Sequence, residues 1–142
     1  MIRYLLDTNI LSELVRPQPD PRVQERYRVH EQEGAIASAV WHELLYGVER
    51  LAPGRRRDAL ARYMTEVVQA SLPVLPYDAE AAQWHARQRA RLEAQGKPRP
   101  ALDGMIAAVA ASRGLILVTR NTGDFAGYDG LHVENWFEGG DG

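Results

Sequence analysis

The fold class can be predicted from residues 3–17, which read RYLLDTNILSELVRP. The first four of these residues favour a short β-strand, and a helical pattern runs from Ile10 to Arg16, where Pro17 ends it. The polar turn Asp7-Thr8-Asn9 joins the strand to the helix. A strand that passes through a short turn into a helix is typical of α/β proteins.

Short apolar stretches alternate with longer helical patterns along the rest of the chain. We predict further strands at residues 35–38, 72–77, 115–118 and 131–134, and further helices at residues 22–32, 40–51, 55–70, 79–95 and 102–112. Pro73 and Pro76 have no backbone N–H group, so residues 72–77 can form a strand only at an edge of the sheet. The alternation predicts an α/β fold with a mainly parallel central sheet flanked by helices.

Length and composition predict one soluble domain. The chain has 142 residues, of which 45% are hydrophobic and 25% charged, and we expect a single domain over residues 1–142 with a flexible tail at residues 138–142. The chain has no cysteine, which excludes disulfides and thiolate metal sites. No apolar run approaches the roughly 20 residues of a membrane span, so no membrane association and a cytoplasmic location are predicted.

Four acidic residues occupy positions that such a sheet could bring to one edge. Asp7 follows the first strand, and Asp124 follows the buried strand at residues 115–118. Glu43 and Asp103 are predicted in the first turns of two helices. Alone, Asp103 or Asp124 is better explained as a helix cap. Together, at the carboxyl ends of parallel strands where ligands bind, the four residues predict a carboxylate pocket.

A pocket of this kind requires a counter-charge. Neighbouring carboxylates raise one another's pKa or bind a cation, and no lysine or histidine is adjacent to the predicted strand ends. Oxygen ligands alone suit Mg²⁺ or Mn²⁺ rather than zinc. Magnesium held by few carboxylates favours phosphate oxygens, which indicates phosphodiester or phosphoryl chemistry.

Four short motifs carry a family resemblance. They read DTNILS at residues 7–12, SAVWHEL at 38–44, DGMIAA at 103–108, and TRN at 119–121 followed by Asp124-Phe125. In this order and spacing they resemble the motifs of PIN-domain ribonucleases, most closely those of the VapC and FitB-like toxins of bacterial toxin–antitoxin systems. The resemblance covers essentially the whole chain.

The resemblance implies a metal-dependent ribonuclease. Mg²⁺ or Mn²⁺ would be bound by Asp7, Glu43 and Asp103, and a metal-activated water would cleave RNA. The implied partners are a second copy of the chain and a small antitoxin that blocks the site. Many relatives have Asp at the position of Asn121, and the sequence leaves open whether Asn121 or Asp124 completes the catalytic group.

Polar and basic residues near the four acids are further candidates. Thr8, Asn9 and Thr119 are predicted to support the acids through hydrogen bonds. Arg99 and Arg120 are candidate RNA contacts because they lie close to the acids in sequence. The cluster Arg55-Arg56-Arg57 begins a helix, where positive charge opposes the helix dipole, so it is either a solvated cluster or a binding surface.

Two other functions compete with a nuclease. An aspartyl-phosphate phosphatase would also use an Asp at the end of the first strand, but it normally has a second acid two residues later and a lysine near the phosphate. This chain has Asn9 there, and Lys97 is its only lysine. The other alternative is a non-catalytic module of the same fold that binds RNA or a partner protein, which Asn121 favours.

Overall fold

The computed structural model describes residues 1–138, which form five parallel strands and six α-helices. The strands are β1 (Tyr4–Leu6), β2 (Gly34–Ala37), β3 (Val74–Leu75), β4 (Ile116–Val118) and β5 (His132–Glu134). The helices are α1 (Thr8–Leu14), α2 (Pro21–His30), α3 (Ser38–Glu49), α4 (Arg55–Tyr63), α5 (Ala79–Ala94) and α6 (Ala101–Ser112). The predicted α/β fold is confirmed. Of the predicted tail at residues 138–142, all but Glu138 lies outside the described residues.

The sheet has the order β3-β2-β1-β4-β5, with β1 at its centre. Leu5 pairs with Ala35 on one side and with Leu117 on the other. Every residue of β1 and β2 is buried, as expected for a parallel sheet covered by helices on both faces. The chain runs outward from β1 to β3 and then returns to the other side of β1, which creates a switch point between β1 and β4.

The strand β3 occupies one edge of the sheet, as its prolines predict. It has two residues, and the carbonyl oxygen of Pro73 accepts a hydrogen bond of 3.0 Å from the backbone N–H of Ile36. Pro73 and Pro76 therefore flank the short strand, where their missing donors break no central pairing.

Several helix boundaries differ from the prediction, and two of these differences change the interpretation. The helix α3 begins at Ser38, directly after β2, so Glu43 lies in its second turn and the prediction of a first-turn position was wrong. The predicted helix at 55–70 is divided, because α4 ends at Tyr63 and wider π-helical turns continue over Met64–Gln69. The change from α-helical to π-helical turns is one that hydrophobic spacing does not encode.

The helix α3 is neither fully enclosed nor evenly exposed. Val40, Leu44 and Val48 are buried in the core, whereas 58% of Tyr46 is exposed. None of the helices formed by residues 1–138 has the length and apolar character needed to cross a membrane.

The helices α5 and α6 pack closely because Gly104 lacks a side chain. A Cβ atom at Gly104 would lie 2.2 Å from Nε2 of His85, closer than any real contact. The His85 ring is buried, and its Nδ1 is 2.8 Å from the hydroxyl of Tyr77. Tyr77 and His85 together therefore support the first turns of α6.

We expect Gly104→Ala to lower the free energy of unfolding by about 1–3 kcal/mol, because the added methyl group overlaps the His85 ring. The matched control is Gly47→Ala in α3, where no atom lies within 4 Å of the added Cβ. That control should be neutral or stabilising by up to about 1 kcal/mol because alanine favours helices. Urea denaturation measures both, and equal effects of the two substitutions would contradict the close packing.

Candidate active site

The central side chain of the site is Asp7, which lies where β1 ends. Its backbone N–H donates a 2.9 Å hydrogen bond to the carbonyl of Val118, so the pairing of β1 with β4 places Asp7 beside Thr119. The Thr119 hydroxyl donates to Oδ2 of Asp7 at 2.8 Å, and the backbone N–H of Thr8 donates to Oδ1 at 2.8 Å. Asp7 is thus both the N-cap of α1 and a fixed, buried carboxylate.

A polar network surrounds this pair and contains all three predicted supporting residues. The amide nitrogen of Asn9 donates to the Thr119 hydroxyl at 3.1 Å, and the amide oxygen of Asn9 accepts from the backbone N–H of Arg120 at 3.0 Å. The backbone N–H of Asn121 also donates to the Thr119 hydroxyl, at 3.2 Å. Thr119 therefore connects the turns that follow β1 and β4.

The carboxylate of Glu43 is joined to the same edge by Thr8. The Thr8 hydroxyl donates to Oε1 of Glu43 at 2.8 Å across 35 positions of sequence. Thr8 uses its backbone N–H for Asp7 and its hydroxyl for Glu43, so a single residue orients both acids.

Asp103 lies in the first turn of α6, as predicted, and the charges of the other acids affect its pKa. Its pKa is raised to about 6, first by burial and then by the negative charges of Asp7, Asp124 and Glu43. The pKa of Asp7 is raised as well, chiefly by burial, although hydrogen bonds from Thr119 and Thr8 oppose the shift. The negative charges of the four predicted acids therefore act on one another at one edge of the sheet.

Asp124 and Asn121 contribute differently to this edge. Asp124 lies in a short 3₁₀ helix, Thr122–Phe125, and its exposed carboxylate raises the pKa of both Asp7 and Asp103. Asn121 precedes that helix and is tied to Thr119 through its backbone N–H group. The charge at this corner comes from Asp124.

The two predicted arginines differ in where their side chains lie. The guanidinium of Arg99 donates to the carbonyls of Gly123 at 3.3 Å and Ala126 at 2.8 Å, and its charge lowers the pKa of Asp103. The guanidinium of Arg120 lies 4.5 Å from the ring centroid of Phe137. Of these two arginines, Arg99 is the one whose charge lowers the pKa of Asp103, while Arg120 is exposed.

The donor chemistry of this edge suits a hard divalent cation. Asp7, Glu43 and Asp103 offer oxygen ligands only, and the carboxylate of Asp103 forms no hydrogen bond with any part of the chain that the structure describes. Among residues 1–138, no three acidic, histidine or cysteine side chains converge into a complete metal-binding cluster. A Mg²⁺ ion here would complete its coordination with water molecules, as Mg²⁺ commonly does.

Sequence reasoning missed two residues beside Asp103. One is Tyr128, whose hydroxyl pKa is raised by burial and by the negative charge of Asp103. Tyr128 follows an irregular loop, where no periodic signal reveals burial. The other is His85, and the signal for its contact with α6 is a glycine at position 104 within a helix.

Comparison with known proteins identifies the family. A sequence model described as the PIN domain matches residues 4–131. The chain belongs to the PIN domain family. It is 38% identical over 137 residues to the tRNA(fMet)-specific endonuclease VapC of Shigella flexneri, a match that covers 96% of this chain and 99% of the relative. The resemblance found in the motifs is therefore confirmed.

Two further similarities place this PIN domain among VapC and FitB proteins. It is 35% identical to Toxin FitB of Neisseria gonorrhoeae, covering 94% of this chain and 99% of FitB. The crystal structure of DNA-bound VapBC from Salmonella typhimurium contains a chain that superposes with a TM-score of 0.81 at 34% identity, covering 96% of this chain and 99% of that one.

Asp103→Asn is expected to stabilise the PIN domain at neutral pH in the presence of a chelator. The folded protein raises the pKa of Asp103 from 3.8 to about 6, so it binds this proton more tightly than the unfolded chain does. The charge therefore destabilises the fold progressively as the pH rises from about 4 to about 6. Allowing for partial exposure, we expect a gain of about 1–3 kcal/mol above pH 6.

Urea unfolding at about pH 7.5 and about pH 4 measures this effect, since the gain should be nearly absent at the lower pH. An equal gain at both pH values would mean that the charge of Asp103 is not responsible.

Thr119→Val removes the hydroxyl that joins the turns after β1 and β4. We expect a loss of about 1–3 kcal/mol in the free energy of unfolding because buried donors and an acceptor lose their partner. The control is Thr65→Val, whose exposed hydroxyl bonds only the carbonyl of Ala61 and should matter by less than about 0.5 kcal/mol. Similar losses for both variants in chemical denaturation would contradict a linking role for Thr119.

Proposed function

We propose that this PIN domain is a divalent-metal-dependent endoribonuclease that hydrolyses RNA phosphodiester bonds and acts as the toxin of a type II toxin–antitoxin system. The observation that carries the proposal is the mutual effect of four negative charges at the switch point of the sheet, where the pKa values of Asp7 and Asp103 are raised. The four carboxylates are those of Asp7, Glu43, Asp103 and Asp124. Its relatives include an endonuclease named for tRNA(fMet) and a protein named a toxin, which supports the same class of reaction.

Asp7, Glu43 and Asp103 would hold Mg²⁺ or Mn²⁺. When bound, such an ion lowers the pKa of an attacking water and neutralises charge on the leaving oxygen. The raised pKa of Asp103 supports this assignment, since a nearby cation would favour its charged form.

The protein side chains would orient and adjust this site. Thr8 and Thr119 fix the carboxylates of Asp7 and Glu43 through hydrogen bonds and leave them little rotational freedom. Asp124 adds negative charge that acts on both Asp7 and Asp103, and we assign it, rather than Asn121, the role of completing the acidic group. Asn121 would keep an oxygen near the site without a charge.

Arg99 and Arg120 are the proposed phosphate contacts beside the acids. Arg99 acts on Asp103 and is fixed to the loop carbonyls of Gly123 and Ala126, so it would position the loop as well as attract a phosphate. Arg120 is exposed above Phe137 and can extend toward a passing strand.

A protein partner would regulate this activity. We propose an antitoxin that covers an apolar groove of about 700 Å³ between α1 and α4. The other proposed partner is a second copy of the chain. The groove is lined by Leu14, Val15, Arg16, Pro17, Arg56, Ala59, Leu60 and Tyr63. Its apolar character suits an amphipathic segment, and the Salmonella relative was crystallised as DNA-bound VapBC.

The test is an RNA cleavage assay with purified protein free of any partner. One substrate is tRNA(fMet), which appears in the name of the Shigella relative, and the other is a mixed single-stranded RNA. We expect cleavage with Mg²⁺ or Mn²⁺, none with chelator, and a loss of about 100-fold or more in Asp7→Asn and Asp103→Asn. The control Asp58→Asn changes an exposed acid at the start of α4 and should cleave normally.

Cleavage that persists in chelator, or that is unchanged by Asp7→Asn, would refute the proposed reaction. RNA binding without cleavage at saturating Mn²⁺ would instead support the non-catalytic binding module.

A further inference from the structure

The exposed face of α3 carries a ladder of three side chains, His42, Tyr46 and Arg50. Residues four apart lie on one face of a helix, so the ladder extends for about 12 Å. The His42 and Tyr46 ring centroids are 6.5 Å apart, and the guanidinium carbon of Arg50 is 5.5 Å from the Tyr46 ring centroid. With 58% of its surface exposed, Tyr46 keeps a ring face open to solvent.

This ladder borders a groove that connects it to the acidic edge. The groove has a volume of about 530 Å³. Thr8 and Glu43, which are hydrogen-bonded to each other, line one part of it, and Arg50 and Arg56 line another. A chain lying along the ladder would therefore lead to the carboxylate of Glu43.

The groove carries two guanidinium groups, those of Arg50 and Arg56, as well as the carboxylate of Glu43. Within residues 1–138, neither Arg50 nor Arg56 has a carboxylate within ion-pair distance, whereas Arg57 is 2.7 Å from Glu49. Arg56 also lies in the first turn of α4, where the helix dipole opposes a positive charge. Two guanidinium groups that form no ion pair and line the same groove complement the phosphates of a polyanion.

Resting on the proposed function, we infer that the ladder is a nucleobase-stacking subsite for single-stranded RNA. A base stacks on the exposed ring of Tyr46, between His42 and Arg50, and the adjoining phosphates contact Arg50 and Arg56. Stacking on aromatic rings and arginine planes is how proteins hold unpaired bases, whereas the bases of a duplex are not accessible to it.

The charge pattern favours RNA over a protein segment on this face. Val15 and Leu60 line both grooves, and the neighbouring groove adds Leu14, Pro17 and Tyr63 to them, which makes it the better complement of an apolar segment. The ladder offers instead an exposed aromatic ring with a cation beside it. Arg56 lines both grooves, so a protein seated in the apolar groove would also obstruct the strand.

The experiment measures binding rather than cleavage. Fluorescence anisotropy of a labelled mixed-sequence RNA of about 12 nucleotides measures its binding to the protein in the presence of chelator. The RNA is used either as a single strand or annealed to its complement. We expect Tyr46→Ala to weaken binding of the single strand about tenfold or more, and Tyr46→Phe to restore it to within about twofold. Binding of the duplex should be weaker and insensitive to both substitutions.

The arginines provide a matched comparison. Arg50→Gln and Arg56→Gln should each weaken binding and reduce the salt dependence by about one phosphate contact, whereas Arg57→Gln, which changes a residue already paired with Glu49, should do neither. Unfolding midpoints of the variants establish that each protein is folded, which is expected because Tyr46, Arg50 and Arg56 are exposed.

Unchanged RNA affinity in Tyr46→Ala, or equal losses in Tyr46→Ala and Tyr46→Phe, would overturn the stacking subsite. If Tyr46→Ala leaves the RNA affinity unchanged but alters the oligomeric state in sedimentation, the stacking subsite is overturned and this face is a protein interface. Cleavage by the unsubstituted protein tests the proposed function separately, because the binding assay contains no divalent ion.

Discussion

The hydrogen bond from the Thr119 hydroxyl to Asp7 joins the ends of the two central strands, and the other site residues are placed relative to it. It exists because β1 and β4 pair in parallel with Leu6 opposite Val118, so the next residue of each strand meets at the same edge. Thr8 directly follows Asp7, and Asn121 lies two residues after Thr119; these two residues attach Glu43 and the 3₁₀ turn to the pair. The acidic edge is therefore a consequence of strand register.

Assembling this edge works against stability. Burial and mutual repulsion raise the pKa of both Asp7 and Asp103, so their charged forms are less favourable in the folded protein than in water. The completely buried strands β1 and β2 and the close contact of α5 with α6 offset that cost. A fold that holds unfavourable charges in place is expected where those charges serve binding or catalysis.

The parallel sheet was predictable from sequence because buried parallel strands are short, continuous apolar runs and because proline identifies the edge strand. The position of Asp7 followed from the same pattern. The helix start at Ser38 was not predictable, since β2 passes into α3 without the polar linker that separates other elements. For this reason Glu43 was assigned to the wrong turn.

The contacts within the site were harder to foresee than its members. The link from Thr8 to Glu43 and the support of α6 by His85 depend on side chains far apart in sequence, and no local pattern specifies them. The orientation of Arg120 over Phe137 is of the same kind, because proximity in sequence does not determine where a long side chain lies.

Arg99 has one guanidinium group, and the structure already uses it. Its two hydrogen bonds to Gly123 and Ala126 hold the turn that carries Asp124, while its charge lowers the pKa of Asp103. A guanidinium group has five N–H donors, and these two hydrogen bonds leave others free, so the same side chain can hold the turn and contact an anion. An anionic strand arriving at this corner would therefore meet an Asp124 turn that is already fixed in place.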